Sequence, residues 1–435
     1  MEDSSEAVVR LVFQLAVILI VAKLGGEICE RFLKVPPVLG ELGAGILIGP
    51  FALGGIDIAG LGPLFEELAH TSDGEEGFQL PISLSLWSIA QVGAIVLLFS
   101  AGLETDLRQF VRYAGPASIV AIGGAAVPFV LGDVITVAFG YADGFTDPVA
   151  LFVGAIFTAT SIGITVRVLA DLRRLDTPEG VTILAAAVLD DVLGILVLTV
   201  ILAIALEGDI SLSSTGLIAF KALGFWLALT GIGILLSKRI SDLFNRFQVS
   251  GASLGLALGL AFLASALAES VGLAMIIGAF SIGLALSGTD LAHRLEEPLR
   301  GVYAALIPIF FAVMGMLVDV SDLGAVWEFG LAATALAIVG KVLGSAIPAL
   351  FTGFNAIGAW RIGIGMLPRG EVALIMAGIG VGAGVISSDL FNVAIIVTIA
   401  TTVLAPVILS RSFKEGVSGR RSSRKIEETE GSHNG

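Results

Sequence analysis

The chain has 435 residues, 56% of them hydrophobic and only 14% charged, with a mean hydropathy of +0.98. That is too apolar for a water-soluble globule and marks a protein that crosses a membrane many times. A dozen or so spans of about 20 residues each would use most of the chain, which excludes a large soluble domain, nucleic-acid binding and cytosolic catalysis. The net charge of −14 matters less than where the charges sit. One cysteine, Cys29, permits no internal disulfide, and His70, His293 and His433 do not cluster, so zinc, haem and iron-sulfur sites are not expected and no cofactor is called for. The acidic start, MEDSSEA, lacks the basic region of a cleavable leader, so the first apolar run reads as a true span.

Apolar runs bounded by charges and turn residues predict thirteen helices, near 7-24, 36-55, 85-103, 114-139, 148-170, 179-206, 214-237, 251-269, 271-288, 300-318, 325-351, 357-385 and 388-410. The basic residues alternate with this count. Lys23, Arg31 and Lys34 follow the first span, Arg108 and Arg112 the third, and Arg167, Arg173 and Arg174 the end of the fifth. Lys238, Arg239 and Arg246, then Arg294 and Arg300, then Arg361, and last the tail bases from Arg411 to Lys425 fall on the same side. The opposite loops carry acids without bases, above all the loop with Glu66, Glu67, Asp73, Glu75 and Glu76. Cytoplasmic loops hold the Lys and Arg of a plasma-membrane protein, so the N-terminus is expected outside and the C-terminus in the cytoplasm.

Four bases remain. Arg10 heads the first span and Lys221 lies about two turns into the seventh, where a long stem can snorkel to the interface. Lys341 and Arg369 are mid-span, too deep for that, and a charge at such depth costs several kcal/mol, of order 3, unless it is paired or faces a wet cavity. The acids available to them are Asp190 and Asp191, at the centre of 179-206, and Glu371. Neighbouring helical residues point about 100° apart, so the two aspartates cannot share a face. One can hold a fixed partner while the other faces a cavity. A buried carboxylate without such a partner holds a proton near neutral pH and can exchange it for a cation, which is the chemistry of a proton-coupled exchanger.

Two spans contain helix breakers. The fifth reads FTATSIGIT, with Thr158, Thr160, Ser161 and Gly163 at mid-depth, and the twelfth reads GMLPRGEVAL, with Pro368 and Gly370. Irregular backbone at membrane depth is tolerated where it is buried in protein or lines a cavity, and interrupted helices in corresponding halves point to the substrate site of a secondary transporter. With the seventh span as a linker (207-250), residues 1-206 and 251-410 form two six-helix halves of opposite orientation, and the two breaks correspond. Arg369 and Glu371 then flank the second break, where a carboxylate compensates a half-helix N-terminus and a guanidinium a C-terminus.

The strings VPPVLGELGAGILIGP, LLFSAGLETDL, AAAVLDDVLGILVL, GAFSIGLALS, PIFFAVMGM and MLPRGEVALI together resemble the monovalent cation:proton antiporter superfamily, and within it the second branch of bacterial and archaeal sodium/proton exchangers. The resemblance runs from about residue 8 to 410. It implies an all-α inverted-repeat fold with crossed broken helices, a six-helix core, a scaffold that holds a homodimer together, and an elevator-like shift of core against scaffold. Residue by residue, Asp191 resembles the carboxylate that binds ion and proton, and Asp190 the neighbour that pairs with a lysine, here Lys341. Thr158 and Thr160 match the crossing region of the first broken helix, and Arg369 with Glu371 the structural polar pair of the second. The transported ions implied are Na+ or Li+ against H+, with K+ as the alternative cation.

Family members gated by glutathione carry Gln-Asp where this chain has Asp190 and Asp191, together with a C-terminal nucleotide-binding domain, so gating of that kind is not expected. The tail 411-435 is polar and reads as disordered and positive-inside. Gly251, Gly255 and Gly259 form a small-residue ridge suited to close helix packing, within the scaffold or at a dimer contact. Glu41 and Asp133 lie toward span interiors, lining a funnel or bonding backbone. An organic-anion symporter on the same fold is disfavoured by the paired aspartates. An intramembrane aspartyl hydrolase needs its carboxylates on facing helices, which adjacent residues cannot supply. A channel would pass cations without obligatory proton movement.

Overall fold

A computed structural model of the protein describes residues 2–58, 62–65, 81–207, 212–244, 246–247, 249–271, 273–318, 326–413 and 417–421. The acidic loop from Glu66 to Glu76, with His70, lies outside the described residues, as do Lys414, Arg424, Lys425 and His433 and the side chains of Lys221 and Glu371.

The protein is a polytopic helical membrane protein. Its helices are α1 (Glu2–Ile28), α2 (Pro37–Ile48), α3 (Leu84–Glu104), α4 (Leu107–Ala138), α5 (Pro148–Thr158), α6 (Ile162–Asp171), α7 (Pro178–Glu207) and α8 (Leu212–Phe244). They continue with α9 (Ala252–Ser270), α10 (Met275–Leu286), α11 (Asp290–Met316), α12 (Trp327–Phe351), α13 (Ala356–Gly365), α14 (Glu371–Gly382) and α15 (Ser388–Phe413). Among the described residues ten segments are long and apolar enough to cross a membrane, and 275–286 and 372–381 are shorter apolar helices. Outward faces carry Ile122, Leu235, Leu263 and Phe351 in exposed positions, which suits a hydrocarbon solvent and would be untenable over so many helices in water.

Helix starts follow the polar residues just ahead of each apolar run. Ser83 accepts a hydrogen bond from Leu86 N at the head of α3, and Asp106 accepts from Arg108 N and Gln109 N at the head of α4. Asp147 caps α5 ahead of Pro148, and Asn355 caps α13 through Gly358 N. The stretch 251–288 divides at 271–274 into α9 and α10.

Two groups of helices pack chiefly among themselves. One holds α1–α3 and α8–α11; the other holds α4–α7 and α12–α15. They meet where α6 lies on α2 and α3, α15 on α2, and α7 on α8. Glycine sets the closest approaches: a Cβ on Gly45 would strike the Ala312 carbonyl, and one on Gly315 the Leu42 carbonyl, so α2 and α11 touch backbone to backbone.

Among the described residues the ridge of Gly255 and Gly259 on α9 faces open space, since an added Cβ meets no atom within 4 Å. Two expectations are corrected. Arg361, counted as a loop base, is only 3% exposed and donates to Glu179 Oε1 at 2.8 Å, Val417 O at 2.8 Å and Ser412 O at 2.9 Å. Those bonds also hold part of the tail, for Asn355 Nδ2 donates to Ser418 O at 2.8 Å and Phe354 pairs with Arg420 through a backbone bridge. Residues 417–421 are thus tied across the ends of α7 and α13.

Gly45→Val is expected to lower stability by about 1–3 kcal/mol through overpacking of α2 against α11, read as a drop in the melting temperature of the detergent-solubilised protein. An unchanged melting temperature would mean that the two backbones have room to separate.

Candidate functional site

The interruption between α5 and α6 covers residues 159–161, and that between α13 and α14 covers 366–370. Each break leaves backbone groups that lipid cannot satisfy, and the two satisfy each other. Ser161 N donates to Pro368 O at 2.7 Å, Thr160 Oγ1 to Met366 O at 3.1 Å, and Thr165 Oγ1 to Gly365 O at 2.7 Å. Gly370 is the residue that lets the chains approach, since a Cβ there would sit 2.8 Å from Ser161 Oγ. Pro368 brings no N–H of its own to the crossing.

Two cations close the open end of α5. Arg369 Nη1 donates to Ala159 O at 2.8 Å and to Ile156 O at 3.3 Å, and the guanidinium carbon lies 5.5 Å from the centre of the Phe157 ring. The guanidinium therefore compensates the C-terminus of the other broken helix rather than that of its own. Its backbone carbonyl accepts from Thr402 Oγ1 on α15. Lys341 on α12 is fully buried and spends its three protons on three acceptors: Asp190 Oδ1 and Oδ2, each at 3.0 Å, and Thr158 O at 2.7 Å. Gly124 on α4 allows the close approach of α12 beside it, as a Cβ there would come 2.5 Å from Ser345 Oγ.

Asp190 is 2% exposed and Asp191 6%. With Asp190 turned onto Lys341, helical geometry turns Asp191 about 100° away from that pair. The hydroxyl protons of the two threonines are engaged, Thr158 Oγ1 with Ala155 O at 2.7 Å and Thr160 with Met366 O. Glu371 opens α14, an acid at a half-helix N-terminus. Asp190, Thr158, Thr160, Lys341 and Arg369 are thus brought together, with Asp191 one residue along. No group of three or more His, Cys, Asp or Glu residues able to hold a metal occurs among the described residues.

A second charged cluster was missed by counting loop charges. Arg167, assigned above to the edge of a loop, lies inside α6 and is 8% exposed. Its Nη2 is 3.5 Å from Glu41 Oε1 on α2, its Nε is 3.1 Å from Asp171 Oδ2, and its guanidinium carbon lies 5.3 Å from the centre of the Tyr303 ring on α11. The Arg167 and Asp171 spacing of four residues was the available signal. Asp171 and Tyr303 also line a cavity of about 320 Å³ with Glu104, His293, Glu296 and Arg300, at the end of the molecule where the basic loops lie. Toward the other end, an apolar cavity of about 90 Å³ lies between the groups of helices, lined by Leu42, Phe310, Phe311, Met314, Leu374 and Thr398, among others.

A buried ion pair seated where two interrupted helices cross is the construction of a secondary transporter. Residues 16–415 match the family of transmembrane sodium/hydrogen exchangers, and the chain belongs to that family. It is 37% identical to the high-affinity Na(+)/H(+) antiporter NhaS3 of Synechocystis sp., across 93% of this chain and 90% of that one. It is 35% identical to the Na(+)/H(+)-K(+) antiporter GerN of Bacillus cereus, across 92% and 96%. These relatives are transporters, not enzymes. The sodium proton antiporter MjNhaP1 of Methanocaldococcus jannaschii, solved at pH 8, has the same fold, with a TM-score of 0.64 at 19% identity over 94% of this chain and 97% of that one.

Lys341→Ala is expected to destabilise the protein by about 3–5 kcal/mol, because it strands a buried carboxylate. Replacing both partners, as Asp190→Asn with Lys341→Met, recovers most of that loss. Denaturation in detergent measures both, and a double variant as unstable as Lys341→Ala would show that the lysine is held for reasons other than its pairing with Asp190.

Proposed function

We propose that the protein exchanges Na+, with Li+ as a surrogate, for H+ across a cell membrane. The observation that carries the proposal is the Lys341 ammonium held by Asp190 at the crossing of the broken helices, with Asp191 beside it. In the protonated state Asp191 carries H+ and Asp190 keeps Lys341. An arriving cation takes both carboxylates, drives the proton off, and draws Asp190 away from Lys341, whose remaining contact is Thr158 O. Cation and protons compete for the same oxygens, so one cannot cross in the company of the other. Arg369 and Glu371 hold the half-helix ends in place throughout, while the hydroxyl oxygens of Thr158 and Thr160 and the Thr160 carbonyl complete the cation's shell.

The two groups of helices supply the moving parts. The set α4–α7 with α12–α15 is the core that carries the carboxylates, and α1–α3 with α9–α11 is the scaffold, on which the linker helix α8 also packs. The core rises and falls against the scaffold in an elevator-like cycle, opening on the basic-loop side through the 320 Å³ cavity and closing on the other where apolar side chains of α2, α11, α14 and α15 line the smaller cavity. Thirteen spans in two inverted halves, 1-206 and 251-410 with 207-250 as linker, a homodimer held by the scaffold, and a cytoplasmic C-terminus complete the proposed architecture. K+ is the second cation to consider, and the name of the GerN relative, which includes potassium, favours testing it.

The test is proton flux in proteoliposomes preloaded with acid, with Na+, Li+ or K+ added in turn, for the intact protein and Asp191→Asn. Cation-triggered proton efflux that disappears in the variant is expected. An equal response in the variant would remove Asp191 from the site, and no response to any cation would overturn the exchange itself.

A further inference from the structure

α6 lies on α2 and α3 of the scaffold, and the surroundings of its Arg167 are lopsided. One guanidinium is shared by two carboxylates of different kinds. Glu41, on α2, is buried, and its second oxygen, Oε2, accepts no hydrogen bond. Asp171 is on α6 itself, one turn away, and its side chain is 34% exposed at the edge of the 320 Å³ cavity. Neither contact closes into a well-formed hydrogen bond: Arg167 Nη2 lies 3.5 Å from Glu41 Oε1, beyond the about 2.7–2.9 Å of a charge-assisted hydrogen bond, and Nε, though 3.1 Å from Asp171 Oδ2, makes no hydrogen bond.

We propose that Arg167 is a positioning residue that latches the core to the scaffold: it bridges Glu41 and Asp171 while the cavity is open on the basic-loop side, and transfers wholly to Asp171 when α6 moves off α2. The proposal rests on the alternating-access reading above and adds a residue that sets which side the site faces. Asp171 travels with Arg167, so the guanidinium is never left without a carboxylate. Glu41 does not travel, and release leaves it a buried carboxylate without its cation. Such a group is stable only if it takes up a proton. Latching is therefore favoured as pH rises and released as pH falls. Around Glu41 the other charges are Lys23 of α1 and Asp171; around Asp171 they include Glu30, and around Tyr303 they include Glu104 of α3. His293, Glu296 and Arg300 of α11 face the same cavity.

The latch is tested by cation-dependent proton flux in proteoliposomes, with cation supplied on the basic-loop side. The proteins are the intact chain, Glu41→Gln, Arg167→Gln, the Glu41→Gln/Arg167→Gln pair, Arg167→Lys and Asp171→Asn. Each single loss of the latch is expected to raise the half-saturating cation concentration at least fivefold and to flatten the acid side of the pH profile. The pair should be no worse than the worse single change, since both remove one interaction, and Arg167→Lys should restore part of the shift. Asp171→Asn, on an exposed side chain, removes the alternative acceptor. It is expected to shift the half-saturating concentration the other way and to slow the maximal rate. Additive losses in the pair, or a lower maximal rate at unchanged half-saturation and pH profile, would show a merely structural role and overturn the latch. So would Asp171→Asn behaving as the intact protein. An intact protein without cation-dependent flux would instead overturn the exchange reading.

Discussion

A lysine ammonium in the middle of an apolar helix has to find acceptors for all of its protons without help from water. Lys341 finds them in both oxygens of Asp190 and in the carbonyl of Thr158, which is open only because α5 stops there. The ion pair and the helix break therefore require each other. A continuous helix through 159–161 would have used that carbonyl internally, and a break without Lys341 and Arg369 would leave carbonyls with no donor at a depth where each one costs several kcal/mol, of order 2–7.

The crossing is held by bonds between the two interruptions rather than within either helix. Ser161 to Pro368, Thr160 to Met366 and Thr165 to Gly365 make the pair of half-helices one unit, and Arg369 reaches from one break to close the other. Such an arrangement gives little stability for its complexity. Buried ion pairs often do no better than well-packed apolar side chains of the same volume. Under the proposed exchange their use makes sense as chemistry: charges that stay in the interior, near one another, and able to change partners. The two groups of helices frame this unit with different boundaries, one lined by apolar side chains around a small cavity, the other opening into a larger one with charged side chains at its edge.

Much of the crossing was legible because it violates the pattern around it. Asp190, Asp191, Lys341 and Arg369 stand out as charges in apolar runs, and the Thr, Gly and Pro strings mark the places where a helix cannot continue. What stayed hidden depends on tertiary contact. Charge counting assigns Arg167 and Arg361 to loops because they lie near span ends, yet each is buried against an acid from a distant part of the chain, Glu41 and Glu179 respectively. The reach of Arg369 to Ala159 joins residues 210 positions apart. The glycines of α9 form a packing ridge by spacing, but spacing cannot say whether the neighbour belongs to the same chain or to another. The docking of residues 417–421 depends on carbonyl acceptors, which any polar sequence offers.

The central claim is that one set of carboxylates holds either the cation or the proton. Equilibrium binding of radiolabelled sodium to the purified protein across a range of pH tests it directly, without transport or membrane sidedness. The account predicts affinity that weakens steadily as pH falls, with proton release on sodium binding, and loss of both in Asp191→Asn. Sodium affinity that does not change with pH, or binding that releases no proton, would contradict it.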